Sequence, residues 1–473
     1  MKSSGIGFTG RLSVLVIAMA FLSGCTMAPK YSRPAAPVPA NWPTGEAYEK
    51  TATAGAKAVA EMKWEEFFTD PGLRQVIATA LANNRDLRLA ALNVEKSRAL
   101  YGIQRAELFP AVNATGAGSK GRVPADLSYI GQDTTAQQYS VNFGVTAWEV
   151  DFFGRIRSLK DRALEEYLAT GQARRSAQIL LVSSVANAYL TLAADRESLK
   201  LTTATLTAQE GAYKLIRKRY EVGLASEIDL RRAQSQVDTA RGDVARYTQL
   251  IAQDENALQL LVGSPVAAEL LPPELGKLRP FRDIASGLSS EVLLNRPDIL
   301  AAEHRLRAAN ASIGAARAAF FPRISLTTTF GTASADLSGL FRDGSSTWNF
   351  APQIVMPIFD ARLWSAYDAT KVEKEITLTQ YERAIQAAFR ETADALAVQG
   401  TVNRQLAAQQ SLVDAFAATY RLSTIRYTKG IDSYLSVLDA QRSLYGAQKG
   451  LISLQLFRLS NEVALYKALG GGA

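Results

Sequence analysis

The chain contains two copies of one sequence pattern, and this internal repeat constrains the fold more than any other feature. An Arg-Tyr pair, a glycine and a serine occur in the same order in residues 219–226 and again, 207 positions later, in residues 426–433. The same spacing places Gly470 opposite Gly263. Two segments that share such a pattern are expected to fold alike, so the sequence predicts two equivalent structural repeats.

Each copy has the same predicted order of elements. A helix comes first, over residues 72–108 in one copy and 289–319 in the other, and a Phe-Pro pair ends each helix. Two strand-like runs and a very long helical hairpin follow. We therefore place the repeats at residues 64–284 and 285–473, each with one helix, two β-strands and one helical hairpin.

Proline placement predicts unusually long helices in both copies. Residues 125–264 and 358–473 contain no proline, and a helix over residues 155–220 would be about 100 Å long. The apolar side chains that recur there at spacings of three and four residues include Ile179, Val182, Val185, Ala186, Tyr189 and Leu192. This spacing is typical of helices packed lengthwise on one another, and Gly223 and Gly430 are the expected turns.

Four shorter runs alternate between apolar and polar side chains, as β-strands do. They cover residues 111–120, 139–148, 324–331 and 348–357, and the first is the weakest. On their own, these runs fit a soluble β-sandwich as well as a transmembrane barrel with a wet lumen. Four strands do not close a barrel, and lipid does not tolerate an open sheet edge, so a membrane barrel requires several chains. The runs do not set the number of chains.

The N-terminus resembles a bacterial lipoprotein signal. Two basic residues precede the apolar run Leu12–Leu22, which is too short to span a bilayer and is followed by Ser-Gly and then Cys25. The resemblance predicts a signal peptide over residues 1–24 and a Cys25 that carries S-diacylglycerol and N-palmitoyl groups. An ordinary signal peptide with an incidental cysteine is the alternative.

The segment after Cys25 is expected to connect a membrane anchor to the folded body. Residues 25–63 are rich in proline near their start, which predicts an extended, non-helical tether. Thr26 stands where an Asp would retain such a lipoprotein at the inner membrane, so we expect delivery to the outer membrane.

Composition excludes several classes of protein. The chain has one Cys and one His, His304, which excludes internal disulfides, thiolate metal clusters and multi-His metal sites. The net charge of +8 includes Lys2 and Arg11 of the predicted signal, and like charges form no long block, so we expect no nucleic-acid partner. A mean hydropathy of −0.04 argues against a helical membrane protein.

An envelope enzyme is one rival interpretation. Residues 116–121 match the GxGxxG pattern of dinucleotide-binding loops. Pro124 and a polar loop follow, however, where a βαβ unit needs a helix. The sequence contains no Walker loop and no HExxH or GxSxG motif, so we expect neither an enzyme nor a bound cofactor.

Nearly the whole chain resembles the TolC-like outer-membrane efflux family, and most closely its acylated OprM-like branch. The motifs that carry this resemblance are Cys25–Pro29, Trp64–Pro71, Asn83–Leu87, Trp148–Arg155, Arg296–Ile299 and Leu435–Gln441. The resemblance implies a mixed α and β membrane protein that trimerises in the cell outer membrane, with a 12-stranded β-barrel and a 12-helix α-barrel tunnel across the periplasm. It also implies that the trimer is the exit duct of a tripartite multidrug efflux pump. In such a pump it receives drugs from two partners, a periplasmic adaptor protein and an inner-membrane resistance-nodulation-division transporter.

The same resemblance implies a gate at the periplasmic tips of the hairpins. Leu435 and Asp439 lie four residues apart on one predicted helix face, and the matching residues narrow the mouth in the OprM-like branch. The candidate latch residues are Arg426 and Tyr427, which are expected to bond to the neighbouring hairpin, with Asp229 as the expected acceptor. The hairpin tips and expected adaptor contacts are Gly223, Leu224, Ser226, Gly430, Ile431 and Ser433, and both serines stand where a hydroxyl caps the next helix.

One departure from the family pattern affects the latch. Some members carry an Arg two residues after the tip glycine, where this chain has Asp432. Two further interpretations stay open from the residues alone: a lipid-anchored coiled-coil spacer without a pore, and a duct that exports proteins instead of drugs.

Overall fold

The computed structural model describes residues 26–48, 62–284 and 289–471. The predicted signal peptide, residues 1–24, and the predicted lipidation site Cys25 lie outside these residues. The segment 26–45 contains neither helix nor strand, and a short 3-10 turn follows at Glu46–Tyr48.

The two halves of the chain contain long elements in the same order. The first half contains α1 (Trp64–Phe67), α2 (Pro71–Asn83), α3 (Arg85–Ala106), β1 (Val112–Val123), β2 (Thr134–Val150), α4 (Arg155–Glu221) and α5 (Glu227–Val262). The second half contains α6 (Pro297–Ala318), β3 (Arg323–Ser334), β4 (Ser346–Val355), α7 (Ala361–Thr428) and α8 (Tyr434–Ala468). The predicted fold class, long helices with four strands in a duplicated chain, is confirmed.

The prediction of one continuous first helix in each copy is wrong, because each helix is interrupted before its main part begins. In the first copy, Asn84 is extended between α2 and α3, and its side chain caps α3 by accepting a hydrogen bond from the backbone N–H of Leu87 at 2.9 Å. In the second copy, Ser290–Asn295 form a 3-10 helix and Arg296 is extended. A residue that precedes proline is sterically disfavoured from helical geometry, so α6 begins only at Pro297.

The helices α4 and α7 are the longest elements, with 67 and 68 residues. The predicted helix over residues 155–220 agrees with α4 to within one residue at its end. Aspartate side chains satisfy free backbone N–H groups where both helices begin. Asp151 accepts from the N–H of Arg157 at 2.9 Å, and Asp360 accepts from the N–H of Arg362 at 3.0 Å.

One helix of the described residues has the length and composition of a membrane span. It is α4, which contains an 18-residue window of mean hydropathy 1.5, and 61% of that window is buried within the protein. α4 contributes Val182, Val185 and Leu190 to the main hydrophobic core. Its apolar character is therefore explained by packing inside the protein.

The chain forms two compact units. One contains the β-sheet and the adjoining ends of helices. The second consists of Ala35–Asn93, Gly171–Ala301 and Glu382–Ala473. In this helical unit the rings of Phe67 and Tyr466 stack with centroids 4.1 Å apart, and the Tyr466 hydroxyl donates to the carbonyl of Met62 at 2.8 Å.

The sheet has the order β1-β2-β3-β4, and all neighbouring strands are antiparallel. Directly paired residues share a face of the sheet. Phe143, Phe330 and Trp348 form one such row and are 61%, 67% and 78% exposed. The adjacent row consists of Asn142, Gly331 and Thr347. One face is therefore apolar and exposed and the other is polar, as the alternating runs predicted.

The strict alternation predicted for residues 139–148 is wrong near its end. The pairing of β2 with β3 shifts between Val145 and Trp148, and Ala147 adopts a φ of 51°. The N–H of Ala147 donates to the hydroxyl of Thr327 at 3.0 Å instead of to a strand carbonyl. A bulge of this kind adds a residue to one strand, so the side chains beyond it change face.

Candidate functional site

Both helical hairpins, α4–α5 and α7–α8, reverse direction through the same kind of turn. Gly223 adopts a φ of 78° and Gly430 a φ of 71°. Glycine adopts these left-handed angles without the steric cost that a Cβ brings. After each glycine, a backbone N–H donates to a carbonyl five residues earlier, which closes a Schellman motif. These bonds are Leu224 N–H to Arg219 O at 2.6 Å and Ile431 N–H to Arg426 O at 2.9 Å.

The serine caps differ between the two tips. The Ser226 hydroxyl caps α5 by accepting a hydrogen bond from the Asp229 N–H at 3.1 Å, and it also donates to the Asp229 carboxylate at 2.7 Å. Ser433 occupies the same position before α8, but its side chain makes no capping hydrogen bond. The expected side-chain cap at Ser433 is therefore wrong. The equivalent of Asp229 is Ser436, which has no carboxylate to return the bond.

Within the single chain, the candidate latch residues Arg426 and Asp229 each bond inside their own hairpin. Arg426 donates to both carboxylate oxygens of Asp432, at 2.6 Å and 2.9 Å, within the second tip. Asp229, the expected acceptor, is engaged by Ser226. The Arg426 hydrogen bond holds the pKa of Asp432 below its ordinary value, and the same bond raises the pKa of Arg426. Because Asp432 lies directly across the turn from Arg426, it captures this guanidinium within its own hairpin.

Tyr427 connects the two hairpins. Its ring lies under the guanidinium of Arg219 from the first hairpin, 5.1 Å from the ring centroid, and contacts the ring of Tyr434 with centroids 5.3 Å apart. Burial, together with the nearby groups Tyr420, Tyr427 and Asp229, raises the pKa of Tyr434 to about 12. Tyr434 therefore stays neutral. The cation-π contact between Arg219 and Tyr427 joins the two hairpins here, and the packing of the Tyr427 and Tyr434 rings joins α7 to α8 within the second hairpin.

A small hydrophobic core near the hairpin tips includes Tyr434. Its buried members come from α4, α5 and α8 and are Ile216, Ala233, Tyr434, Val437 and Leu438. Such a core ties the ends of the two hairpins together separately from the main core of the helical unit. A movement of one hairpin tip against the other must separate these side chains.

The predicted gate residues lie on the exposed side of α8, outside this small core. Leu435 is 40% exposed, and Asp439 is also exposed, while Tyr434, Val437 and Leu438 are buried. Asp439 follows Leu435 by four positions, so both project from one side of the helix. The chain therefore presents an apolar and an acidic side chain together, one turn apart, next to the second tip.

The tips also expose large apolar side chains. The exposed fractions are 69% for Val222, 72% for Leu224, 63% for Ile228 and 59% for Ile431. Single exposed apolar residues are common, but four at neighbouring turns form a surface suited to protein contact.

A polar network farther from the tips was missed by the sequence interpretation. The Tyr445 hydroxyl donates to Asp243 at 2.9 Å and lies 2.8 Å from the hydroxyl of Thr202, and Lys449 Nζ is 3.8 Å from Asp243. This network joins α4, α5 and α8. One sequence signal for this network is a difference between the two repeats. The residue 207 positions after Asp243 is Gly450, which has no side chain, so the second repeat has no equivalent of the Asp243 carboxylate.

The described residues offer no group of three or more His, Cys, Asp or Glu side chains able to hold a metal ion. The single histidine of the sequence, His304, contacts Glu165 through Nδ1 at 2.6 Å. The GxGxxG segment, residues 116–121, lies inside β1 and is paired with β2 along its length. A dinucleotide-binding loop requires a strand, a turn and then a helix, so this segment serves as strand.

Comparisons with known proteins agree with this architecture. The family model described as "Outer membrane efflux protein" matches residues 76–264 and 288–471. The chain is 50% identical over 465 residues to a toluene efflux pump outer membrane protein, TtgC, of Pseudomonas putida, covering 98% of this chain and 96% of that protein. The antibiotic efflux pump outer membrane protein ArpC of Pseudomonas putida shows the same identity and coverage.

The fold is also similar to a solved structure. The open state of the Neisseria gonorrhoeae MtrE outer membrane channel aligns with a TM-score of 0.85 and 36% identity, covering 95% of this chain and 98% of that one. These matches span both repeats and confirm the predicted family, the outer-membrane location and the absence of a catalytic role. The chain belongs to the outer membrane efflux protein family and is an outer-membrane transport component of efflux pumps, not an enzyme.

Proposed function

We propose that three copies of this chain close one β-barrel and one helical tunnel, and that the trimer is the exit duct of a tripartite multidrug efflux pump. The observation that carries the proposal is the pair of free sheet edges. Among the described residues, β1 and β4 each pair with a single strand, and they run in opposite directions. β4 of one copy is therefore able to continue the antiparallel pairing with β1 of the next, which removes every edge from the lipid.

The faces of the sheet support this assembly. The row of Phe143, Phe330 and Trp348 gives the barrel an apolar outer surface that contacts lipid. The alternate rows are polar, face the other side of the sheet and line a water-filled lumen. Three copies give the 12 strands of the TolC-like barrel that the chain resembles. Relatives are named for the efflux of toluene and of antibiotics. The duct formed by this chain conducts small toxic compounds of the same kind.

The gate of this duct is the ring formed by Leu435 and Asp439. In a trimer, three copies of each residue make an apolar collar with an acidic ring one turn away. The ring opposes leakage when the tips are together and opens when they separate. Both side chains are exposed in the single chain, which leaves them free to meet around a common axis.

The partners follow from the tips and from the N-terminus. A periplasmic adaptor protein contacts the exposed apolar side chains at Leu224 and Ile431, and an inner-membrane resistance-nodulation-division transporter supplies the substrate. Lipidation of Cys25 anchors each copy beside the barrel. Mass spectrometry of the mature N-terminal peptide tests this modification, because an unmodified Cys25 contradicts it.

Single-channel conductance in a planar bilayer tests the pore and the gate together. Wild type is compared with Leu435→Ala/Asp439→Ala, and the matched control is Ile228→Ala/Arg232→Ala, at the equivalent positions of the first repeat. We expect small wild-type currents, a rise of about tenfold in the gate variant and wild-type currents in the control. Absence of current from all three trimeric preparations contradicts the channel, and equal currents from all three contradict the gate.

A further inference from the structure

The first described residues of the chain form an extended segment that lies along α6. We call residues 26–33 the strap. Its contacts follow α6 in reverse order: the Met27 carbonyl accepts from Arg317 at 3.5 Å, and the Pro29 carbonyl accepts from Asn310 at 2.7 Å. Arg33 reaches Glu303 near the start of α6. The strap therefore runs antiparallel to the helix for most of its length.

α6 carries a continuous stripe that receives the strap. Its members are spaced three or four residues apart, so they share one face of the helix, and they are Glu303, Arg307, Asn310, Gly314 and Arg317. Gly314 is part of the fit, because a Cβ added there would lie 2.7 Å from the backbone of Ala28. Only glycine allows this close approach.

Glu303 is the centre of the contact. It is 2% exposed and accepts hydrogen bonds from Arg33 Nε at 3.1 Å and Arg33 Nη2 at 2.5 Å. It also accepts from the Tyr31 hydroxyl at 3.2 Å and from Arg307 Nη2 at 2.6 Å. Three of these four bonds come from the strap.

The electrostatics agree with an ionised Glu303. Burial opposes ionisation, but the hydrogen bonds from Arg33 and Arg307 outweigh it and hold the pKa of Glu303 below its ordinary value. Burial and the neighbouring Glu303 carboxylate raise the pKa of Tyr31 to about 12, so Tyr31 remains a donor. A buried carboxylate is stable only when its charge is paired. Without the strap, Glu303 would keep Arg307 alone.

We propose that α6 carries a docking site for the chain's own N-terminal segment, and that Glu303 is the positioning residue that fixes the strap to the body. The strap begins one residue after Cys25, and α6 ends five residues before β3 begins. Docking therefore sets the place where an N-terminal membrane anchor leaves the folded protein. This role is separate from conduction through the duct and from gating at the tips.

Limited trypsin digestion of the purified full-length protein in detergent tests the proposal. The bond after Lys30 lies within the strap, and Lys30 is exposed, whereas the bond after Arg33 precedes proline and resists trypsin. A docked strap must detach before the protease can bind it. The readout is the rate at which a new N-terminus at Tyr31 appears by mass spectrometry.

Glu303→Gln is expected to accelerate cleavage after Lys30 about tenfold or more, because strap and helix lose a charge-assisted contact. The matched control is Glu165→Gln, which neutralises the partner of His304, the next residue on α6, without contacting the strap. Arg33→Gln keeps the Glu303–Arg307 pair and should accelerate cleavage even if Glu303→Gln folds poorly. Circular dichroism confirms that helix content is unchanged.

Wild-type cleavage rates in both Glu303→Gln and Arg33→Gln overturn the proposal. Equal acceleration in Glu165→Gln overturns it as well, since the effect would then come from a general loosening of α6. Failure of the duct proposal leaves this test intact, because strap cleavage is measured without any current.

Discussion

Arg426 and Asp432 form a bidentate ion pair across the second hairpin tip, with bonds of 2.6 Å and 2.9 Å. The position equivalent to Asp432 in the first repeat is Ala225, and there Arg219 lies over the ring of Tyr427 instead. The two tips thus share a backbone turn and differ in the side chains that hold it. Asp432 precedes Leu435 by three positions, on the hairpin that carries the proposed gate.

We expect Arg426→Gln to loosen the second tip without unfolding the protein. An exposed ion pair contributes little to global stability, so the unfolding temperature should stay within about 1 °C of wild type. Local opening should increase, and amide hydrogen exchange over residues 426–436 should rise about two- to fivefold. The control is Arg421→Gln on the same helix. Unchanged exchange in Arg426→Gln contradicts a clamping role for the pair.

The pH dependence of this pair follows from the sign of its pKa shift. The Arg426 hydrogen bond lowers the pKa of Asp432, so its stabilising effect is present above the unfolded value and is lost only as pH falls through the lower folded value. Exchange at the second tip, corrected for intrinsic rates, should therefore stay constant from about pH 7 to about pH 5. An increase in that window contradicts the pair as the clamp.

The two serine caps predict unequal costs for the same substitution. Ser226→Ala removes a hydroxyl that bonds both the N–H and the carboxylate of Asp229, and should destabilise the start of α5 by about 1 kcal/mol. Ser433→Ala removes a side chain without a capping bond and should cost less than about 0.5 kcal/mol. Hydrogen exchange in the first turns of α5 and α8 measures both. Equal effects contradict the assigned caps.

Sequence patterns predicted the elements of this fold because each depends on local chemistry. The absence of proline allowed α4 to be placed to within one residue, and the need for a left-handed turn identified Gly223 and Gly430. Alternation along the strands predicted which side chains share a face. The exceptions are also local, since an Asn cap breaks the first helix at Asn84 and a bulge interrupts β2 at Ala147.

The side-chain partners could not be predicted in the same way. Asp229 is the acceptor expected for the latch, but in this chain Arg426 bonds to Asp432, six residues along and across the turn. The Tyr445–Asp243 bond joins residues 202 positions apart, which no periodicity reveals. Both pairs involve positions where the two repeats differ. Shared residues of the repeat therefore predict the backbone, and residues that differ predict the contacts that distinguish the two hairpins.

Tyr445→Phe should weaken the polar contact that joins α8 of the second hairpin to α4 and α5 of the first. It removes the hydrogen bonds to Asp243 and Thr202 and should destabilise the protein by about 1–2 kcal/mol, which corresponds to about 2–6 °C in the unfolding temperature. Tyr220→Phe, an exposed tyrosine at the first tip, is the matched control and should change the unfolding temperature by less than about 1 °C. Equal shifts in both variants would contradict a stabilising role for the hydrogen bonds of Tyr445.

Glu462 in α8 gives the helical unit a pH dependence opposite in sign to that of Asp432. Burial and the nearby Asp283 raise its pKa from 4.5 to about 7, against the opposing charge of Arg458, whose Nε lies 3.6 Å from the carboxylate. A carboxyl group with a raised folded pKa binds its proton more tightly in the folded state. Its stabilising effect is present below pH 4.5 and is lost as pH rises through about 7.

Glu462→Gln should therefore leave the unfolding temperature nearly unchanged at about pH 4 and raise it above wild type by about 2 °C or more at about pH 8, because the amide stays neutral. Glu255, at the equivalent position of the first repeat, is paired with Arg196 at 2.8 Å and provides the control. Glu255→Gln should show no gain at high pH, since it breaks that pair. An unfolding temperature that falls with rising pH as steeply in Glu462→Gln as in the native chain would assign the effect to another group.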